Sequence, residues 1–572
     1  MRPSSIGRGS VIALLAALLT GTGASAARAQ ENAAERVRLP FPAYDGTLTP
    51  YTFSIGYPLV TLVYDTLLWR DAEGRPRPWL ARSLTRSNGG RRVTVRLRDG
   101  VRWHDGRPLT ASDVAFTFRF MAARYHPRFT PQLRHVERVQ ATGRLTARID
   151  LTGPSLGFDD QPLADLPILP RHRWQGLADG RAAPSGLPVG SGPYRLVRAD
   201  PIRGYAFRAN RGYFRGSPRV DEIRVPIIGD AQRTYDALRE RNVDMVPLNL
   251  PQQPARELSS SLGIAVQRGP SYAGTMLVLN LRRPPFNRLA ARQALASALN
   301  LERISGRAAP AAAAEEGFIH PASEWSPGTR MYRFDPTAAN ASRSELGTDP
   351  VRVLAPVNDP VRLEAGRQVV LALRAVGARA MLVERSRAQL DRALGVEGSA
   401  PTFTAAIETI PSLASYDPDY LVELFGSDPR IAPLNHSGYR SERFDSLARR
   451  VASAPDAATR RGAVRAELEL LSHDLPAIPL FFAQGVFAYR AAIYDGWVFI
   501  KGTGILDKRS FLPGTTQGQS APQASAVDAS VRPDSESRSW LTPLNVISLA
   551  IVLVVVALAA LALRQRRRDR ML

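Results

Sequence analysis

Residues Arg91 to Met121 read RRVTVRLRDGVRWHDGRPLTASDVAFTFRFM, and this window decides the fold class. Val93, Val95 and Leu97 alternate with Thr94, Arg96 and Arg98, which gives a strand one apolar face and one wet face. Asp99-Gly100 predicts a tight turn into Val101 to Trp103, and His104-Asp105-Gly106 a second turn. A helix follows, because Thr110 and Asp113 make a T-x-x-D capping box with Val114, Phe118 and Met121 at helical spacing behind it. Strand, turn and capped helix in one short window define an α/β chain.

The same alternation continues outward. Val37 to Leu39 predicts a first strand, Tyr44 to Phe53 a turn-rich loop, and Tyr57 to Leu68 a helix carrying Leu59, Leu62, Val63, Leu67 and Leu68. Leu145 to Leu151 alternates again. Gly190-Ser191-Gly192-Pro193-Tyr194 opens a further strand; a glycine before a strand is far more often a backbone requirement than half of a nucleophile elbow, and G-x-S-x-G is absent. Val225, Ile227 and Ile228 read as a strand before a helix over Tyr235 to Met245. Met276 to Leu281 is another strand, and Asn287 can cap a helix running to Leu299. Val351 to Leu354, a helix from Val361 to Val376 ended by Gly377, and Ala380 to Val383 form a βαβ unit, so those two strands should be parallel with a right-handed crossover. Thr402 to Ile407 and Leu480 to Tyr489 add strands, with a helix over Val464 to Leu471 between them. No period of 20 to 50 residues recurs. Two α/β blocks joined through strands near 270 and 490 predict two lobes with a cleft, where ligands sit at the carboxyl ends of strands.

The 572 residues are too many for one core, and the chain has no cysteine, which excludes disulfides, thiolate chemistry and a lipid-modified cysteine anchor. Its 75 basic and 52 acidic residues give +23, yet only Lys501 and Lys508 are lysines. Arginines scattered singly, with no aromatic-interleaved basic run outside the tail, argue for a solvated basic surface and against nucleic acid as partner.

The two ends predict the compartment. Residues 1–29 have Arg2 and Arg8, an apolar stretch from Val11 to Leu19, and small residues ending Ala27-Arg28-Ala29: a secretory signal peptide cleaved after Ala29, or second after Ala26. Leu544 to Leu563 is an almost unbroken apolar run of the length a membrane helix needs, and Arg564, Arg566, Arg567, Arg568 and Arg570 follow it. By the positive-inside rule this is one C-terminal transmembrane helix with a cytoplasmic tail, the large domain lying outside (periplasmic or extracellular). Three leader arginines and a tail of +4 leave about +16 of the +23 on the exported part. The segment 513–543 is rich in Gly, Ser, Gln, Pro and Ala and reads as a flexible tether, with an r.m.s. reach of about 30 Å.

Enzyme chemistry is not encoded in any contextual motif: HExxH, Walker A, G-x-G-x-x-G after a strand and S-x-x-K are missing. The seven histidines are dispersed. His104 and Asp105 are neighbours that should point apart. Tyr416-Asp417-Pro418-Asp419-Tyr420 is the one acidic loop of interest, readable either as a cation site or as ordinary turn chemistry. No catalytic residue, cofactor or metal ligand is assigned.

The run Arg98-x-Gly100-Val101-x-Trp103-x-Asp105-Gly106-x-Pro108-x-Thr110-Ala111-x-Asp113-Val114 resembles the signature of family 5 extracytoplasmic solute-binding proteins, the dipeptide and oligopeptide receptors of ABC importers. Further blocks agree in order: Pro78, Leu80 and Ala81; Gly190 to Tyr194; Asn210 to Arg224 (NRGYFRGSPRVDEIR); Asn280 with Pro285-Phe286; and Arg292 to Leu295. The resemblance covers about residues 45 to 505. It implies a two-lobed periplasmic-binding-protein fold (cluster C, type II) with a small inserted domain. The expected division is 1–29 signal peptide; 30–59 with 188–275 and 489–512 as lobe I; 60–187 as the small domain; 276–488 as lobe II; 513–543 linker; 544–563 membrane helix; 564–572 basic tail.

The resemblance also implies capture of a small or peptide-like solute in the interlobe cleft, with ABC permease subunits as partners and no enzymatic turnover. A membrane-anchored ligand sensor of the same fold is the alternative, and a secreted hydrolase a distant third. In the family a D-P-D-like loop lines the cleft, and Asp417, Asp419, Asn435, Tyr439, Phe444 and Asp445 fit that framework. The expected ligand contacts are Asp417, Tyr416, Asp419, Asn280, Tyr272 and Tyr51. The W-T-G-D string of peptide receptors, whose aspartate holds the ligand's amino group, is replaced here by TIPSLAS at Thr409 to Ser415.

Overall fold

The computed structural model describes residues 33–53, 55–177, 184–247, 250–396 and 398–514. The expected leader, the membrane helix 544–563, the basic tail and nearly all of the tether lie outside the described residues. Among the described residues no helix is long and apolar enough to cross a membrane.

Three sheets carry the molecule. The first has the order Ala34–Arg38, Val220–Val225, Gly204–Ala209, Tyr194–Asp200, its first pair parallel and the rest antiparallel. Its core gathers Val37, Leu62, Tyr194, Phe207, Ile223, Trp497 and Phe511. A second, antiparallel sheet runs Ala81–Ser87, Arg92–Leu97, Thr146–Leu151, Val136–Gly143 and packs on the helix Ala111–Ala123. It has its own hydrophobic cluster, with Val93, Val95, Leu97, Val114, Phe118 and Met121 buried as their spacing predicts. Asp113 Oδ2 accepts from the Thr110 N–H at 2.9 Å, as the capping motif requires.

The third sheet is built on two long antiparallel strands, Ala265–Leu279 and Ala477–Tyr489. Ala405–Ile410, Val351–Pro356 and Ala380–Arg385 follow on one side and Met245–Val246 on the other. The βαβ expectation holds: Val351–Pro356 and Ala380–Arg385 are parallel, with Val351 opposite Ala380 and the helix Pro360–Ala375 between them. The long strands do more than pair. At one end Val486 and Ala488 pack with Tyr235, Leu238 and Leu258; at the other, Met276 to Leu279 enter the large cores on either face of the sheet. Between those ends the register shifts from Pro270 to Gly274, and Ser271 pairs with Gly502 instead. Two continuous strands therefore link two packed bodies through one irregular crossing, the geometry of a hinge.

Three local expectations are corrected. The helix expected over Tyr57 to Leu68 stops at Val63, and Leu68 already belongs to the short strand Leu68–Arg70. The chain leaves the helix there because Asp65 is buried and is the common acceptor of Lys508, Trp79, Tyr213 and Ser191. The strand expected at Val225 to Ile228 is Val220–Val225, and its helix is Ala231–Arg239, started by Asp230 through the Arg233 N–H at 2.7 Å. Asn287 is not the cap of the helix Leu289–Ala298; Arg288 stands there and makes no side-chain capping bond, while the Asn287 N–H closes a turn onto Arg283 O at 3.0 Å.

The glycines before Tyr194 do serve the backbone. A Cβ on Gly190 would lie 1.8 Å from Val63 O, and one on Gly192 would lie 2.4 Å from Leu62 O. Ser191 between them donates to Asp65 at 2.9 Å and faces no base. His104 and Asp105 point apart: Gly190 N–H donates to His104 Nδ1 at 3.2 Å, which leaves Nε2 to donate to Gly192 O at 3.0 Å, whereas Asp105 meets His172 at 2.6 Å.

Candidate functional site

The loop singled out in the sequence, Tyr416 to Tyr420, lies where the small antiparallel sheet meets the long-strand sheet. Leu413–Tyr416 is one helical turn, Asp417 turns the chain by accepting from the Asp419 N–H at 3.2 Å, and Leu421–Phe425 is a second short helix. All of Tyr416 to Phe425 is buried.

Asp417 pairs with Arg460 of the helix Ala457–Asp474, both nearly inaccessible. Gly157, from the small-sheet side, comes so close that a Cβ there would lie 2.0 Å from Asp417 Oδ2. Asp419 pairs across the same boundary with Arg134, which also donates to Asp419 O at 3.1 Å, and with His135 Nε2 at 3.1 Å. Burial opposes the charge of Asp419, but Arg134 and His135 outweigh it and hold the carboxyl well below the usual range. The Arg70 guanidinium lies 3.7 Å over the Tyr416 ring and pairs with Asp160. Burial, with Asp417 nearby, pushes the Asp160 carboxyl up to about 6 even against Arg70. The seam between these parts is thus closed by Arg134, His135, Arg70 and Gly157 on one side and Asp417, Asp419 and Tyr416 on the other. Both loop aspartates are already balanced by arginine, so the cation-site reading of the loop gains no support from its donor set.

Tyr416 and Tyr272 belong to the hinge crossing. Tyr416 donates its hydroxyl to Lys501 O, and its ring centroid is 5.0 Å from that of Tyr272. Tyr272 donates to Ala322 O at 3.1 Å, and its N–H donates to Gly502 O at 2.9 Å. His320 packs on the same ring at 5.0 Å, and burial depresses its imidazole to about 4. The structure therefore brings Tyr272, Tyr416, Asp417 and Asp419 together. Asn280 and Tyr51 lie elsewhere: Asn280 donates to Phe403 O at 2.9 Å and pins the end of one long strand, while Tyr51 donates to Tyr125 O at 2.6 Å among Phe120 and His126.

Sequence reading missed Arg70, Arg134, His135, Gly157, Asp160 and Arg460. They are spread over almost four hundred positions, and an arginine carries little information where 73 of the 75 basic residues are arginine. Two surface cavities occur away from the seam, one of about 310 Å³ between the helix Ala111–Ala123 and the strand Val136–Gly143, one of about 490 Å³ beside Asn300, Glu315 and Tyr332.

Two α/β bodies sharing a pair of continuous strands and meeting over a charged seam define the two-lobed periplasmic-binding-protein class. Solved structures agree on the fold. The peptide-bound DppA of Helicobacter pylori, an ABC transporter-associated periplasmic binding protein, superimposes with TM-score 0.73 at 19% identity, over 85% of this chain and 99% of that one. The mannohexaose-bound periplasmic oligopeptide-binding protein of Thermotoga maritima gives TM-score 0.71 at 21% identity, over 81% and 93%. The family model "Bacterial extracellular solute-binding proteins, family 5 Middle" matches residues 75–401, and the chain belongs to that family. The nickel-binding periplasmic protein of Escherichia coli K12 is 25% identical over 358 residues, which are 61% of this chain and 67% of that protein. A peptide, an oligosaccharide and nickel are thus named for three relatives of one fold, so the fold alone does not fix the ligand.

Proposed function

We propose that this protein is a membrane-tethered extracytoplasmic receptor that closes its lobes on a small, peptide-like solute and delivers it to an ABC importer. The observation that carries the reading is the hinge. Ala265–Leu279 and Ala477–Tyr489 run unbroken through both bodies and lose register only at Pro270 to Gly274 and Thr275 to Met276, beside a seam whose two faces meet through side chains. Such a joint lets two rigid bodies open and close without unfolding either. Family membership supports solute capture, and the ligands named for the relatives keep peptides first. The absence of the W-T-G-D string argues that a peptide amine, if bound, is held differently here.

The leader, the 513–543 tether and the apolar run 544–563 support an anchored receptor, with the large domain outside. A tether reaching about 30 Å keeps it near partners in the same membrane. Mass spectrometry of solute that co-purifies with residues 30–512 tests the ligand. One small solute, bound at one per chain and raising the melting temperature when added back, is the expected result. A lack of any co-purified solute, together with no thermal shift across peptide, sugar and metal-chelate libraries, would falsify the reading.

A further inference from the structure

Glu423 sits on the short helix Leu421–Phe425 with no exposure, and neither of its carboxyl oxygens is bonded by a counter-ion, the Tyr420 side chain on its own side being its polar neighbour. The groups around it come from both sides of the seam: Arg134, Arg128 and Asp165 from the small-sheet side, Asp419 and Tyr420 from its own, and Tyr125 at the edge. Both arginines are engaged elsewhere, Arg128 with Asp165 at 2.7 Å and Arg134 with Asp419. A dry carboxylate with no bonded counter-ion is strongly disfavoured, so the group stands here as the neutral acid. Burial pushes it well above the carboxylate range in spite of the two arginines.

We propose that closing the seam takes up protons, with Glu423 as the principal acid, so that the protein closes on its ligand more readily as its compartment acidifies. The inference rests on the receptor reading above. When the seam opens, water reaches Glu423 and its affinity for a proton returns to the ordinary value. The closed form thus binds more protons, and closure is favoured as pH falls and lost as pH rises through the closed-state value. One whole proton taken up changes the closed-to-open ratio about tenfold per pH unit.

His320, packed on Tyr272, and His126, beside Arg128, are held neutral by burial and have the opposite sign, since wetting them on opening lets them gain protons below about pH 6.5; above that value the uptake by Glu423 stands unopposed by them. Asp160, raised to about 6 by burial and by Asp417, adds to it with the same sign. Asp419 has the opposite sign, but its carboxyl, facing Arg134 and His135, titrates below the window. Glu467 provides an internal control. It is also a buried acid pushed up by burial, yet Asp419, Arg460 and Asp417 around it all lie on its own side of the seam.

Because the chain has no cysteine, Thr142→Cys and Arg430→Cys can carry a donor and an acceptor dye on the two exposed sides. The test uses the full chain in nanodiscs between pH 8 and 5. Energy transfer should report a closed fraction that rises on acidification, approaching tenfold in the ratio per pH unit. Glu423→Gln should remove most of the slope and leave only the smaller share of Asp160 near pH 6, and Glu467→Gln should leave the slope unchanged. If Glu423→Gln does not fold, infrared difference spectra of the wild type decide: a protonated-carboxyl C=O band should grow in step with the closed fraction. A flat wild-type profile, a slope undiminished by Glu423→Gln, or no such band overturns the proposal. Lobes that move and capture solute equally at all pH sink only the proton inference; lobes that never move sink the receptor reading as well.

Discussion

Asp65 and Glu423 are both buried carboxyls with no exposure, one in the first sheet's core and one at the seam. Around Asp65 every need is met: Lys508 Nζ at 2.8 Å, Trp79 Nε1 at 2.8 Å and Tyr213 hydroxyl at 2.9 Å reach one oxygen, and Ser191 reaches the other at 2.9 Å. The Lys508 ammonium also lies 4.0 Å over the Trp69 ring. Glu423 has two arginines nearby and a bond from neither. A satisfied buried ion locks parts of the chain that never separate, here position 65 to position 508. An unsatisfied one at a boundary between bodies marks a place whose solvation changes with conformation.

The largest effect expected from breaking this contrast is at the locked site. Lys508→Ala leaves the Asp65 carboxylate buried without its counter-ion, which costs about 3–5 kcal/mol. Urea unfolding should show it as a fall in midpoint with unchanged slope, and the pair Asp65→Asn with Lys508→Met should recover most of the loss. A loss below about 1 kcal/mol would mean that water reaches the cage.

Acid should act on the two regions in opposite directions. His104, His126 and His320 are each depressed to about 4 by burial, and each accepts a backbone N–H at Nδ1. An unfolded histidine gains its proton near pH 6.5, so the unfolded chain binds more protons between about pH 6.5 and about 4. Stability conferred by the neutral rings is full above that window and is lost on acidification, on the order of a few kcal/mol per ring. Urea midpoints measured from pH 7 to pH 4.5 should fall while the closed fraction rises. His320→Gln should make the fall shallower.

How much of this was legible in the sequence follows the range of each interaction. Val93 to Met121 reads correctly because alternation, turn and cap all act within a few residues. Gly190 and Gly192 were readable as a backbone requirement, although nothing local says that they press on Leu62 and Val63, in a helix more than a hundred residues earlier. The end of that helix was not readable, since it is set by Asp65 reaching Lys508, 443 residues away. The D-P-D loop stood out by its two carboxylates between two tyrosines, and the family pattern gave it weight, but its partners Arg134 and Arg460 were hidden among identical side chains.

A smaller effect is expected where the seam alone is disturbed. Gly157→Ala places a Cβ against an Asp417 carboxylate that Arg460 holds fast, so the small-sheet side must back away. Overpacking of this kind costs about 1–3 kcal/mol. If the seam is a closing surface, the cost falls on closure: affinity for the co-purified solute should drop roughly 10-fold or more while the urea midpoint scarcely moves. An equal loss in both measurements would show that the seam never opens.

The smallest effect separates the two acids at the loop. Glu467 is buried with Oε2 unbonded, near an Arg460 whose Nε is also unbonded. Its carboxyl is pushed well above the usual range by burial, so it is neutral in the folded molecule and ionised when unfolded. A raised folded value means stability that is full in acid and lost as pH rises. Glu467→Gln keeps the shape and removes that loss, so the variant should equal the wild type near pH 5 and pull ahead of it toward pH 8, by about 1.4 kcal/mol for each pH unit over which the folded acid keeps its proton. Urea curves at the two pH values measure this directly. A variant weaker than the wild type at pH 8 would show Glu467 ionised and paired with Arg460, and the line drawn between satisfied and unsatisfied acids would then run between Glu467 and Glu423 instead of between the core and the loop.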